Sequence, residues 1–185
     1  MAEHRIRRAT PGDAAALSAF AAWLFDETFG PDNDPEDMAA YLAATFSPER
    51  QAAEIADPAG IWLIAEGRAN GAVPGTAVET SLAGYAHLIV GAAPNGVTAP
   101  APLEVRRFYV ARAWHGRGVA GALMDAVVRA AGDRGAQTLW LAVWQHNPRA
   151  IAFYRKAGFV EAGTQSFRLG RDVQQDLVMT RPVRH

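Results

Sequence analysis

The sequence contains no cysteine. That excludes a disulfide framework, a thiolate zinc site, an iron–sulfur cluster and a cysteine nucleophile. No apolar run approaches the ~20 residues needed to span a bilayer, so no membrane segment is expected. Met1 to Thr10 is charged and lacks the apolar stretch of a secretory signal, and a cytoplasmic location is expected. The histidines His4, His87, His115, His146 and His185 show no HxxxH or HExxH spacing, so no metal is expected. No GxSxG elbow is present, and no Gly-Lys-Ser/Thr completes a P-loop. Of the 18 cationic residues only Lys156 is a lysine, a compositional bias without mechanistic content.

What remains is ample for a folded core. The chain has 185 residues, 50% hydrophobic and 20% charged, which fits one domain over 1–185. The net charge of −1 conceals an asymmetry. Residues 1–60 hold 11 Asp and Glu against 4 Arg, a balance of −7, and residues 61–185 hold 8 against 14 Arg and Lys, a balance of +6. A polyanion binder is usually basic overall, so no nucleic acid is expected. The division suits two ligands of opposite charge as well as it suits unevenly distributed solvated faces.

Along the chain, Ile6 to Thr10 reads as a strand and Pro11-Gly12-Asp13 as a break that starts a helix. Leu17, Phe20, Ala21, Leu24 and Phe25 follow helical spacing. Asp34 caps a second helix with Pro35 in its first turn and Met38, Tyr41, Leu42 and Phe46 as its stripe. Ser47-Pro48 starts a third, which ends near Asp57. Strands follow at 61–65, 82–90 and 103–110, with a hairpin connection expected over 67–75. A helix runs from about Gly118 to Gly132, a strand from Leu139 to Val143, a helix from Asn147 to Ala157, and a strand pair from Phe159 to about Thr180. The order β, helices, βββ, α, β, α, ββ describes one α+β domain with a central sheet.

Chemistry concentrates in two segments. In the first, Phe108-Tyr109-Val110 runs through His115-Gly116-Arg117-Gly118-Val119-Ala120 into a helix whose Val119, Leu123, Val127 and Ala130 share one face. The helix start carries unpaired N–H groups and a partial positive charge, and glycines let a ligand approach that backbone. Such a turn holds phosphate or pyrophosphate, although many strand–Gly–helix turns bind nothing. His115 and Arg117 can add charge or hydrogen bonds. In the second, Asn147-Pro148 is a cap and first-turn pair, and Gly158 closes the helix. Asn147 and Tyr154 lie seven residues apart on nearly one face. From the residues alone, Asn147 either only caps or also contacts a ligand, and Tyr154 either only packs or presents its hydroxyl.

Together the segments resemble the motifs of the GCN5-related N-acetyltransferase (GNAT) superfamily. The phosphate turn of that family, Gln/Arg-x-x-Gly-x-Gly/Ala, is matched over 115–120 with His115 in first place. Its Asn-x-x-Ala-x-x-Phe-Tyr-x-x-x-Gly-Phe signature is complete at Asn147, Ala150, Phe153, Tyr154, Gly158 and Phe159. Glu27-Thr28-Phe29, Pro35 to Met38, Ala40 to Leu42, Trp140 to Trp144, Ser166 to Gly170 and Asp176 to Met179 further resemble PaiA-type polyamine acetyltransferases.

The resemblance implies a central mixed, mostly antiparallel sheet of about seven strands flanked by helices. It implies acceptor-side helices over about 11–57 and an acetyl-CoA-binding core over about 103–160. Acetyl-CoA is the implied co-substrate and a primary amine the acceptor, spermidine or spermine first. Phe108, Tyr109 and Val110 would pair with pantetheine, residues 115–120 would hold pyrophosphate, and Asn147 would contact the pantetheine arm. Tyr154 is the implied proton donor to the CoA thiolate. Glu104 is the first candidate base, six residues before Val110 on its strand, and even spacing puts Glu104, Arg106, Phe108 and Val110 on one face. Glu27 is the second, with attraction of the cationic substrate as its alternative role. A peptide amine acceptor, or a CoA-binding sensor without turnover, are the competing readings. Homodimers are common in the resembling family.

Overall fold

The computed structural model describes residues 4–67, 81–94 and 96–183. Its strands are β1 (His4–Arg8), β2 (Gly60–Gly67), β3 (Ser81–Ile89), β4 (Pro102–Val110), β5 (Thr138–Trp144), β6 (Val160–Leu169) and β7 (Asp172–Pro182). Its helices are α1 (Ala14–Phe29), α2 (Pro35–Thr45), α3 (Pro48–Ala56), α4 (Val119–Asp133) and α5 (Pro148–Lys156). The expected element order holds throughout, while the hairpin connection expected over 67–75 lies almost wholly outside the described residues.

The strands form one seven-stranded sheet in the order β1-β2-β3-β4-β5-β7-β6. Every neighbouring pair is antiparallel except β4 and β5. Both faces are covered, which is why β2 reads as an unbroken apolar run. Ile61 and Leu63 join the core under α4 and α5, and Trp62 and Ile64 join the core under α1 to α3. The alternation follows from the period of two along a strand.

Local chemistry sets the helix bounds. The Asp34 side chain accepts from the N–H groups of Glu36 and Asp37, and Ser47 accepts from Arg50. Pro35 and Pro48 occupy the following positions, where a missing N–H costs nothing. The stripes Leu17/Phe20/Ala21/Leu24/Phe25 and Val119/Leu123/Val127/Ala130 are buried as their spacing predicts. Arg7 on β1 binds both oxygens of Asp13 and one of Glu66, tying the start of α1 to the sheet edge. Among the described residues, no helix is long and apolar enough to cross a membrane.

Candidate active site

The sheet is incomplete at its centre. β4 and β5 pair only over Pro102↔Thr138, Leu103↔Leu139 and Glu104↔Trp140. Beyond these, β4 continues to Val110 and β5 to Trp144 without further pairing between them. Two strand edges therefore face each other across a cleft, each with backbone N–H and C=O groups free to bind an extended ligand.

At the open end of this cleft lies the start of α4. Gly116 and Gly118 have φ of 73° and 83°, which side chains rarely tolerate, and nothing lies within 4 Å of where a Cβ would sit on either. No side chain caps α4, and its first turn holds no acidic residue. The positive helix end is thus neither neutralised nor filled, and the cradle fits a phosphate group. Arg117 is exposed and lies over the Trp114 ring at 5.6 Å.

His115 does not reach outward. Its Nε2 lies 2.9 Å from the Val110 carbonyl, and its Nδ1 lies 3.0 Å from a guanidinium nitrogen of Arg149. The carbonyl can only accept, so Nε2 carries the proton and Nδ1 accepts from Arg149. The imidazole therefore joins the end of β4, the glycine turn and the first turn of α5. Arg149 falls on an unspecified position of the second motif, between Asn147 and Ala150. The sequence signal for it is its position two residues after the Asn147 cap, at a helix start that faces the turn.

The Asn147 side-chain oxygen accepts from the Ala150 N–H at 3.1 Å, so it caps α5 and leaves its amide N–H groups for other partners. Tyr154 is 8% exposed and enclosed by aromatic rings, with centroids 6.1 Å from Phe108, 5.5 Å from Phe153 and 5.7 Å from Phe159. Burial raises its pKa above the ordinary phenol range. At neutral pH the hydroxyl keeps its proton.

The expectation that Glu104 and Arg106 share a face with Phe108 and Val110 fails. The register runs from His87↔Arg107 to Leu88↔Val105, so Arg106 is an extra residue and β4 carries a bulge there. The bulge shifts the alternation by one. Leu103, Val105, Phe108 and Val110 face α4 and α5, whereas Glu104 lies on the opposite side, with Arg107 and Tyr109. One oxygen of Glu104 pairs with Arg106 at 3.0 Å. Arg107 pairs with Glu54 of α3 at 2.7 Å and lies over the Phe46 and Trp62 rings. Beside it His87 is 1% exposed and stacks on Trp62 at 4.2 Å. Burial, then Arg107 and Arg106, lower the His87 pKa to about 3, so it is neutral. The pairing of Glu54 with Arg107 beside His87 escaped the sequence reading because it is long-range.

Glu27 lies exposed near the end of α1, and its side chain has no hydrogen bond or ion pair among the described residues. Nearby, Asp32, Asn33, Asp34, Asp37, Leu169, Arg171 and Asp172 line a surface cavity of about 460 Å³. Arg171 bridges Asp34 and Asp37 there, both at 3.2 Å.

The splayed parallel strand pair, the uncapped helix start at its mouth and the buried phenol packed on β4 fit the CoA-dependent acyl transfer that the sequence resemblance implies. Comparison with known proteins agrees. The sequence model of the acetyltransferase (GNAT) family matches residues 19–159, and the chain belongs to that family. It is thus an acetyl-CoA-dependent N-acetyltransferase. It is 37% identical over 169 residues to an uncharacterized N-acetyltransferase of Mycobacterium tuberculosis, covering 91% of this chain and 97% of the relative. It is 30% identical over 175 residues to an uncharacterized N-acetyltransferase from Lactobacillus delbrueckii subsp. lactis, covering 95% of each. The fold is similar to that of PaiA N-acetyltransferase from Thermoplasma acidophilum, solved in complex with coenzyme A. That match has a TM-score of 0.73 at 19% identity and covers 97% of this chain and 99% of the other.

Proposed function

We propose that this acetyltransferase acts on a small primary amine, with polyamines such as spermidine or spermine as its acceptors. What supports the reading is the uncapped, unfilled start of α4 together with Tyr154, which packs on Phe108 of β4 and keeps its proton at neutral pH. The charge layout supports a cationic acceptor. Asp26, Glu27, Asp32 and Glu36 are exposed on the side opposite α4 and α5, and none has a cationic partner among the described residues. The resemblance of Glu27 to Phe29 and of the tail to polyamine acetyltransferases supports the same class.

In this reading the backbone at Phe108, Tyr109 and Val110 pairs with the pantetheine arm. The backbone of His115, Gly116, Arg117, Gly118, Val119 and Ala120 holds the pyrophosphate, and the Asn147 amide donates to the arm. Acetyl-CoA supplies the activated acyl group. The acceptor ammonium, with a pKa near ~10.4, loses a proton before its lone pair attacks. Glu104 is the carboxylate assigned to take it, directly or through water, and Glu27 draws the cation toward the site. As the new N–C bond forms and the C–S bond breaks, Tyr154 gives its proton to the departing thiolate. Solvent then restores the phenol.

The test is thiol release from acetyl-CoA with spermidine, spermine, simple diamines, amino sugars and lysine peptides. Selective turnover of polyamines is expected, with Glu104→Gln slowed by about 10². Preferred turnover of lysine peptides would replace the acceptor class. Tight acetyl-CoA binding with no turnover of any amine would leave a sensor.

Arg149 provides a separate check on the donor half. Replacing it by Gln removes a charge held over the phosphate turn. A charge-assisted contact of about 1.5 kcal/mol corresponds to roughly tenfold weaker acetyl-CoA binding. The difference should shrink in high salt, since the side chain is exposed. Calorimetric titration at two salt concentrations measures both; an unchanged affinity at low salt would free Arg149 from this role.

A further inference from the structure

One carboxylate is out of place. Asp176 on β7 is 9% exposed, and its carboxylate has no hydrogen bond or ion pair with any described residue. Other carboxylates that are partly buried all have an arginine. Asp13 and Glu66 share Arg7, Glu54 has Arg107, Glu104 has Arg106 and Asp37 has Arg171. A buried, unpaired carboxylate is costly and serves no packing purpose that Asn or Leu would not serve better.

Its surroundings suit a cation. Asp176 lies in register with Trp144 on one side and Gln165 on the other. It shares a face with Gln174, which reaches Asn33 between α1 and α2. The Trp144 ring meets Phe29 at 5.9 Å and His146 at 5.3 Å. A carboxylate beside aromatic faces is the constellation that binds alkylammonium groups. Burial pushes the Asp176 carboxyl up to about 6, as expected of an anion still awaiting its counter-ion.

Position decides which nitrogen it would take. Trp144 ends β5, whose edge lines the cleft, and Asp176 lies one strand further in, about 4.8 Å behind that edge. The reacting nitrogen must reach the cleft itself.

We propose that Asp176 binds a second ammonium of the acceptor, the one that is not acetylated, with Trp144 and Phe29 alongside. The inference rests on the amine-acetyltransferase reading and narrows its substrates to diamines and polyamines. Monoamines leave Asp176 empty and bind poorly.

The test compares 1,4-diaminobutane with butylamine in wild type and Asp176→Asn. Wild type is expected to favour the diamine in kcat/KM by about 10². The variant should lose most of that preference through a higher KM for the diamine, with butylamine turnover and acetyl-CoA affinity unchanged. Asn fits the same space and removes a buried charge, so the variant's thermal melt should not fall. A variant that keeps the diamine preference overturns the proposal, as does a wild type without one. If no amine is turned over, the proposed function fails separately. Calorimetric titration of the CoA-bound protein with 1,4-diaminobutane then decides. Binding lost in Asp176→Asn upholds the site, and binding that is absent or unchanged in the variant overturns it.

Discussion

Replacing Tyr154 by Phe should lower kcat by about 10² to 10³ and leave acetyl-CoA affinity nearly unchanged. The reasoning starts from packing. The Tyr154 ring is held edge-on to Phe108 and Phe159. Phe keeps those contacts, so the substitution removes one hydroxyl and little else. That hydroxyl is assigned to the thiolate, a charge that develops only as the C–S bond breaks. Its loss therefore acts on the chemical step and not on donor binding. Because burial lifts the phenol above its ordinary range, this group should cause no fall in rate as pH rises from 7 to about 9. Steady-state kinetics and calorimetry on both proteins measure the split. Equal turnover would take Tyr154 out of the mechanism.

Gly84→Ala should be a strongly damaging small substitution on the sheet. Gly84 on β3 pairs with Val110 at the end of β4. A Cβ there would lie 2.6 Å from the Tyr109 carbonyl oxygen and 3.0 Å from a Val110 methyl. The carbonyl belongs to a paired strand and cannot swing away as a side chain would. Overpacking of this kind costs about 1–3 kcal/mol. For a chain of this size each kcal/mol lowers the melting temperature by roughly 2–4 °C. The displaced segment also carries the Val110 carbonyl that anchors His115. Donor affinity should fall together with stability, unlike in Arg149→Gln. A thermal melt and a titration check the two effects, and an unshifted melt would refute the steric argument.

The sequence carried the helices and strands because their patterns are local. Asp34-Pro35 and Ser47-Pro48 state their helix starts in two residues each, and Val119, Leu123, Val127 and Ala130 state a buried face. The glycine turn and the Asn147–Tyr154 segment were legible for the same reason. The bulge at Arg106 was not. Whether a strand carries an extra residue depends on its partner, and a run such as Leu103 to Val110 looks regular alone. That single insertion reversed the side assigned to Glu104. Asp176 was hidden differently. It ends the polar run Gln174-Gln175-Asp176, which reads as exposed until β5 and β6 are known to flank it. Arg149 was visible but mute, since its partner His115 lies 34 residues away.

The short pairing between β4 and β5 has a mechanical consequence. Four strands lie on one side of it and three on the other, and only three residue pairs join the two halves within the sheet. Beyond that short segment, the halves are held together by the apolar core that α4 and α5 form beneath both. Tyr154 lies on the helix that follows β5 and packs on Phe108 of β4, and the Val110 carbonyl that anchors His115 ends β4. The His115–Arg149 contact spans the gap at the end far from the short pairing. A ligand lying along both edges would act as a missing strand and hold the halves at a fixed separation. The angle between two half-sheets then sets the distance between proton donor and reacting bond.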